Sequence, residues 1–421
     1  MHPAGYLAAA ALAAAVLDAV LRRGGRCAYA APSLAVALFA YYAYCFVADD
    51  FTLRAVFEHS TTSLPPLFKL ASSWSGAGGS LVAFSTIIAL AYLAHLRLGQ
   101  VSEKLRAAYD AMLAGGLALA FANGAFDSSG ALFAAGRGMN PLLKSVWVYP
   151  HPLATFGGYA LALVAFANQR LGFERAERVA ASASWILLTV GITLGGLWSY
   201  ETFGWGGYWA WDPVEVAELI PWLALTAYMH SGVLGRSWSR FSMDLTAFGV
   251  LFAIYITRSG LSPLHGFGVA QAGGAALLGI SIPLLGLAFY DLYSAADRML
   301  PRERGLLQLG TLAAFWALIA AFVVALSGLL PHAVMGLLGM EPSPPVEDLA
   351  VAYYNPKMIV PFLVLALSLP ACHLERELGR RGYLALVATL AFASLALCRA
   401  SSTGELVWSP LSPPSTHLMI S

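Results

Sequence analysis

Apolar runs of roughly 18–22 residues recur along the whole of this chain and constrain its fold more than any other feature. A run of that length crosses the hydrocarbon core of a bilayer as a helix. The helix also satisfies every backbone N–H and C=O within one segment, as lipid demands. Composition agrees: 59% of the 421 residues are hydrophobic, 11% are charged and the mean hydropathy is +0.69. The expected fold is an all-α polytopic membrane helix bundle of about twelve transmembrane helices, near residues 4–21, 27–48, 80–96, 108–126, 151–169, 182–200, 214–235, 242–258, 270–292, 306–329, 357–374 and 382–398. No internal repeat of roughly 20–50 residues and no long linker divides it, so residues 1–421 are read as one integral-membrane domain.

Basic residues orient the bundle. With the amino terminus outside, most of the 24 Lys and Arg residues, among them Arg22, Arg97, Arg170, Arg236, Arg302 and Arg380, fall in short inner loops. Cytoplasmic loops of membrane proteins carry that excess. Both termini are then expected outside, in a multi-pass protein of the plasma membrane. The first segment carries its arginines after its apolar run and is read as a retained helix, not a cleavable signal. A net charge of +1 gives no nucleic-acid footprint. Cys27, Cys45, Cys372 and Cys398 lie in or beside apolar runs with no C-x-x-C pair, so neither a disulfide framework nor a zinc site is expected.

The outer loops 49–79, 127–150, 199–213, 259–269 and 330–356 hold most of the glycine, tryptophan and proline outside the predicted helices, which places the chemistry on the extracytoplasmic face. The densest segment is 199–222, which ends in WGGYWAWDPVEVAELIPW. Asp212, Pro213 and Glu215 read as an N-cap, a first-turn proline and the third-position glutamate of a capping box. A contact of Asp212 with a ligand remains open beside that reading. Membrane proteins also carry interfacial tryptophans, but Trp205, Tyr208, Trp209 and Trp211 crowd together around Gly206-Gly207, where the backbone lets a flat ligand approach. His151 and His265 lie at the same predicted depth on either side of this segment, as the two axial ligands of a haem iron would. His230 lies deeper, about 25 Å along its predicted helix, where an ionisable residue is a functional candidate.

Several stretches together carry a family resemblance: SLPPLFKLASSWSGAGGS at 63–80, GRGMNPLL at 136–143, YPHPLATFGGY at 149–159, the tryptophan-rich run ending at Trp222, AYMHS at 227–231, TRSGLSPLHGF at 257–267 and VAYYNP at 351–356. In combination and order they resemble the CcmF family of cytochrome c biogenesis, the membrane subunits of the cytochrome c haem lyase. The resemblance implies that His151 and His265 ligate haem at the outer face and that His230 ligates a second, membrane-embedded b-type haem. It also implies that haem b lies on Trp205, Tyr208, Trp209 and Trp211, with propionates near cations such as Arg258, Arg137, Lys144 or Lys69. There the C-x-x-C-H segment of an apocytochrome c takes the haem as two thioethers. The partners implied are apocytochrome c, a haem chaperone of the CcmE type, a thiol-presenting subunit of the CcmH type and quinol as electron source.

Two departures stand out. The family's histidine–glutamate pair in the first outer loop is missing from Trp74-Ser75-Gly76-Ala77-Gly78-Gly79-Ser80. The chain also stops before the family's second ligand to the deep haem, and is therefore read as a short or split form completed by a second polypeptide. His373 and His95 are the internal alternatives for that ligand. The competing function is a haem transporter or loader that presents haem to a chaperone without bond formation; a two-haem electron carrier is a third.

Overall fold

The computed structural model describes residues 1–21, 25–99, 101–202, 207–262, 271–295, 306–340 and 346–368, with positions 379, 381, 382, 385, 388 and 389. Trp205, His265 and His373 lie outside the described residues, as do most of the predicted span 382–398 and the latter part of the loop 259–269. The described chain is helical: α1 (Pro3–Leu21), α2 (Ala30–Val47), α3 (Arg54–His59), α4 (Pro66–Ser75), α5 (Ala77–Arg97), α6 (Glu103–Ala122), α7 (Pro150–Leu171), α8 (Glu174–Thr202), α9 (Pro213–His230), α10 (Arg236–Ile256), α11 (Gln271–Ala295), α12 (Leu306–Leu337) and α13 (Val346–Ser368). Nine of these helices, among the described residues, are long and apolar enough to cross a membrane. The protein is an all-α, multi-pass membrane bundle.

Local chemistry sets the boundaries. Ser102 caps α6 by accepting from the Leu105 N–H at 3.2 Å, and α7 stops at Gly172, whose φ of 83° suits a residue without a Cβ. The capping box expected at Asp212 is formed: its side chain accepts from the Val214 N–H at 2.8 Å, and Glu215 returns to the Asp212 N–H at 3.2 Å. The predicted loop 49–79 instead contains α3, α4 and the first turn of α5. Much of the predicted loop 330–356 is helical instead, because α12 runs through Pro331 and α13 begins before Pro356. Proline reads as a stop in sequence, but in a bundle the freed carbonyls find other partners.

Helix α9 lies at the centre. Only Val214, Trp222, Met229 and His230 of its residues are not buried. Neither α9 nor α7 is among the nine apolar spans, since a helix wrapped by others need not face lipid. Gly249 of α10 lies against the backbone of Pro221, so the two helices approach closely where α9 carries its proline. On α7, a Cβ at Gly158 would come within 2.6 Å of Leu188 of α8, and the Gly158 carbonyl accepts from Ser184 at 2.7 Å. At the end of α7 opposite His151, Arg170 joins Asp244 of α10 and Asp291 of α11. Asp244 is fully buried.

Removing one member of a buried ionic cluster leaves charge without compensation, at a cost of about 3–5 kcal/mol. Arg170→Met is therefore expected to lower the melting temperature of the detergent-solubilised protein sharply. Adding Asp244→Asn and Asp291→Asn to that variant should recover a large part of the loss, measured by thermal unfolding of the single and triple variants.

Candidate functional site

A cavity partly open to the surface lies between α4, α5, α7, α8, α9 and α10. Its walls are mainly aromatic and aliphatic, including Trp74, Phe84, Phe156, Tyr159 and Trp198. Both wall tryptophans spend their indole N–H on the connection between α6 and α7: Trp74 donates to the Val148 carbonyl at 3.0 Å and Trp198 to the Leu142 carbonyl at 3.2 Å. Their ring faces are left as surface. Among the described lining residues there is one imidazole, one guanidinium and one carboxyl: His151, Arg258 and Glu218.

His151 stands in the first turn of α7 and its ring sits 5.8 Å from that of Trp198. Its Nδ1 is 2.9 Å from the carbonyl oxygen of Gly191 on α8. A carbonyl only accepts, so Nδ1 carries the proton and Nε2 keeps its lone pair, the tautomer a metal needs. The ring is held in place on its other side by Gly195, where a Cβ would come within 2.8 Å of Cε1.

Arg258, just past α10, is 8% exposed and curls back to donate to the Ile254 carbonyl, Thr257 Oγ1 and Ser80 Oγ of α5. Its Nε is buried with no hydrogen-bond partner. Burial pushes its pKa down to about 10, which leaves it charged at neutral pH. Of the four cations considered from sequence, it is the one that lines the cavity. Lys69 donates to Asp49 at 2.5 Å, Arg137 lies over the Phe57 ring and Lys144 is exposed.

Glu218, one turn beyond Glu215 in α9, accepts from Thr155 Oγ1 of α7 at 2.6 Å. Sequence reasoning passed over Glu218, Thr155, Tyr159, Trp74 and Trp198. For Glu218 a signal was there, since a third carboxylate inside an apolar helical run is costly and calls for a reason.

The described part of the tryptophan segment lies on a different side of α8. Gly196 packs against Tyr208 while neighbouring Gly195 packs against His151. Tyr208 stacks on Tyr200 at 5.4 Å, and Trp209 meets Trp211 edge-on at 90°. Trp211, held at φ 61°, stacks on Tyr354 of α13 and donates to Asn355 Oδ1 at 2.7 Å. These rings do not line the His151 cavity. Asp212 is 4% exposed and, besides capping α9, accepts from Ser262 Oγ at 2.5 Å.

His230 is the last residue of α9 and half-buried. Its Nδ1 donates to the Thr226 carbonyl at 2.8 Å, again leaving Nε2 as the ligating atom. Above it, Trp185 donates to Thr226 Oγ1 at 2.9 Å and stacks with Trp222 at 6.3 Å. A free imidazole nitrogen beside paired indoles fits a haem edge. His95 is engaged with the Tyr109 hydroxyl at 2.5 Å. A second cavity adjoins the first at Gly76 and Ala77 and is lined by Tyr42, Glu58, His59 and Asn123. Burial pushes the pKa of His59 down.

Residues 59–264 match the family model described as cytochrome C assembly protein. Over 270 residues the chain is 36% identical to the cytochrome c-type biogenesis protein NrfE of Haemophilus influenzae, covering 59% of this chain and 42% of that one. Over 355 residues it is 32% identical to the cytochrome c-type biogenesis protein CcmF of Escherichia coli, covering 76% of this chain and 53% of that one. The chain thus spans about half the length of the curated relatives it matches. In fold it is similar to a solved cytochrome c haem lyase CcmF, with a TM-score of 0.60, 22% identity and coverage of 87% of this chain and 62% of that chain.

Asparagine at position 212 can still accept from the Val214 N–H, whereas alanine removes both the cap and the Ser262 contact. Asp212→Asn is expected to match the wild type in thermal stability, and Asp212→Ala to lose about 1–2 kcal/mol, measured by thermal unfolding in detergent.

Proposed function

The chain belongs to the cytochrome c assembly family and is of the CcmF type, and from that premise we propose that it binds haem at the extracytoplasmic face of the plasma membrane for covalent attachment to apocytochrome c. One observation carries this reading. His151 Nδ1 is engaged by the Gly191 carbonyl, which turns Nε2 to ligation, in an aromatic cavity that also contains a buried guanidinium with an unused Nε. Haem needs all three: an axial nitrogen, flat apolar walls and a partner for a propionate.

Here haem is the substrate. His151 supplies one axial ligand and His265 the other, and Arg258 with Ser80 receives a propionate. The tryptophan segment, through the exposed Tyr208, presents aromatic surface toward the incoming apocytochrome, Trp209 and Trp211 brace it from behind, Trp205 of the same segment is assigned to haem contact, and Asp212 fixes the segment to the head of α9. The two thiols of the C-x-x-C-H segment then add to the two vinyl groups, each S–H hydrogen passing to the terminal vinyl carbon as sulfur bonds to the inner one. The apocytochrome histidine displaces a protein imidazole and the product leaves. The chain contributes mainly positioning and exclusion of water.

A b-type haem on His230 would supply electrons that keep the substrate iron reduced, drawn from quinol. A CcmE-type chaperone and a CcmH-type thiol-presenting subunit act at the outer face. The alternative is a loader that hands haem to a chaperone without bond formation. It predicts the same cavity but no thioether product.

His151→Ala and His265→Ala are each expected to lower haem occupancy and abolish cytochrome c maturation, with added imidazole partly restoring the Soret band. Wild-type maturation by both variants would remove the ligand pair. Purified alone, the chain should hold the deep haem weakly or as a five-coordinate species. Co-expression with a membrane partner that supplies a second axial ligand should yield a low-spin b-type spectrum that His230→Ala erases. A six-coordinate spectrum from the isolated chain that is lost in His373→Ala would instead assign the ligand to this chain.

A further inference from the structure

The charges lining the cavity nearly cancel. Arg258 brings a guanidinium and Glu218 a carboxylate, and His151 spends Nδ1 on the Gly191 carbonyl. A ferrous haem with both propionates ionised is a dianion, and a ferric one still carries net negative charge. Such a ligand is ordinarily met by a surplus of cations, and this cavity has none among its described residues.

Depth sharpens the point. His151 stands in the first turn of α7, Thr155 one turn further in and Tyr159 two. Glu218 accepts from Thr155, and Arg258 reaches back along α10 to Ile254 and across to Ser80. Glu218 and Arg258 line the same cavity as Tyr159, so carboxylate and guanidinium border the space that His151 also borders. A haem ligated by His151 that sends its propionates to Arg258 sends them toward Glu218 as well.

Resting on the haem-attachment reading above, we propose that Glu218 is an affinity-limiting residue of the outer haem site: its carboxylate faces the propionate edge and weakens haem binding by like-charge repulsion. The hold on haem then depends on the iron–imidazole bond and the aromatic walls instead of charge. That dependence suits a site whose product must leave. Once the apocytochrome histidine replaces a protein imidazole, the remaining propionate contacts are close to electrically neutral and do not retain the product. Arg258 orients the haem, and Glu218 keeps that orientation from becoming a trap.

The test compares two porphyrins on two proteins. Haem and haem dimethyl ester, whose propionates are esterified and uncharged, are titrated into the purified full chain and into Glu218→Gln, following the Soret band. Glutamine keeps the carbonyl that accepts from Thr155, so the α7–α9 contact survives. A unit charge several ångströms away at an effective dielectric near 20 contributes roughly ten- to hundredfold in affinity. Glu218→Gln is expected to bind haem at least about tenfold more tightly and to bind the dimethyl ester as the wild type does. Arg258→Gln is expected to show the reverse sign, weaker for haem and unchanged for the ester. An equal shift for both porphyrins in Glu218→Gln would mean that the residue acts through structure, and no shift for either would mean that it does not face the propionates; each result overturns the proposal. Failure of the wild-type chain to bind either porphyrin would overturn the outer-site reading itself, and this inference with it.

Discussion

The site depends on how closely other elements approach the glycines of α8. Gly191, Gly195 and Gly196 present bare backbone in its C-terminal half, and each admits a different neighbour. A Cβ at Gly191 would come within 2.6 Å of Thr155 Oγ1 and 3.0 Å of Glu218 Oε1; at Gly195, within 2.8 Å of the His151 ring; at Gly196, within 3.0 Å of the Tyr208 carbonyl. Because Gly191 has no side chain, its carbonyl can also accept from His151 Nδ1. One stretch of helix thereby fixes the tautomer of the candidate iron ligand, seats the only described carboxyl of the cavity and anchors the aromatic segment behind it.

The central position of α9 follows from the same need to hold polar groups away from lipid. Asp212, Glu215 and Glu218 would be costly on a helix exposed to hydrocarbon. Here Glu215 closes the capping box and accepts from Ser199 of α8 at 3.3 Å and from the Ala210 N–H at 3.0 Å, while Glu218 accepts from Thr155 of α7. The carboxylates are thus the bonds that hold α7 and α8 to α9. The polar helix is tolerated because it is enclosed, and its enclosure forms the cavity wall.

Much of this was legible in the sequence. The apolar runs give the long helices, since their length is dictated by the bilayer, and the Asp212–Glu215 spacing gives a cap that forms as read. The histidines 151 and 230 could be singled out because few residues with ligating nitrogen occur at those depths, although only the structure shows that each has Nδ1 tied to a carbonyl. What sequence could not give was which side of α8 each aromatic ring would take. Trp209 and Trp211 are near neighbours of Tyr208 in the chain, yet the left-handed backbone at Trp211 turns its ring toward Tyr354. Nor could it show that Trp74 and Trp198, from segments far apart, would form the walls around His151, because that pairing is set by loop carbonyls at Val148 and Leu142.

Stretches that look like separate motifs in the sequence are contacts of one rim in the structure. The serine of the first outer-loop motif, Ser80, meets Arg258 of the TRSG run; Ser262, four residues on, meets Asp212 at the head of α9; and Trp211 beside it meets Asn355 of the AYYNP run. Trp74 closes the ring by holding the turn that leads into His151. Each link is a polar bond between segments far apart in the chain, made where the backbone leaves a helix and where an unmet donor or acceptor is most costly. Loosening one link therefore shifts the neighbours that share its helix end. Arg258 and Asp212 are thereby bound into the same unit as His151, even though Asp212 lies outside the cavity.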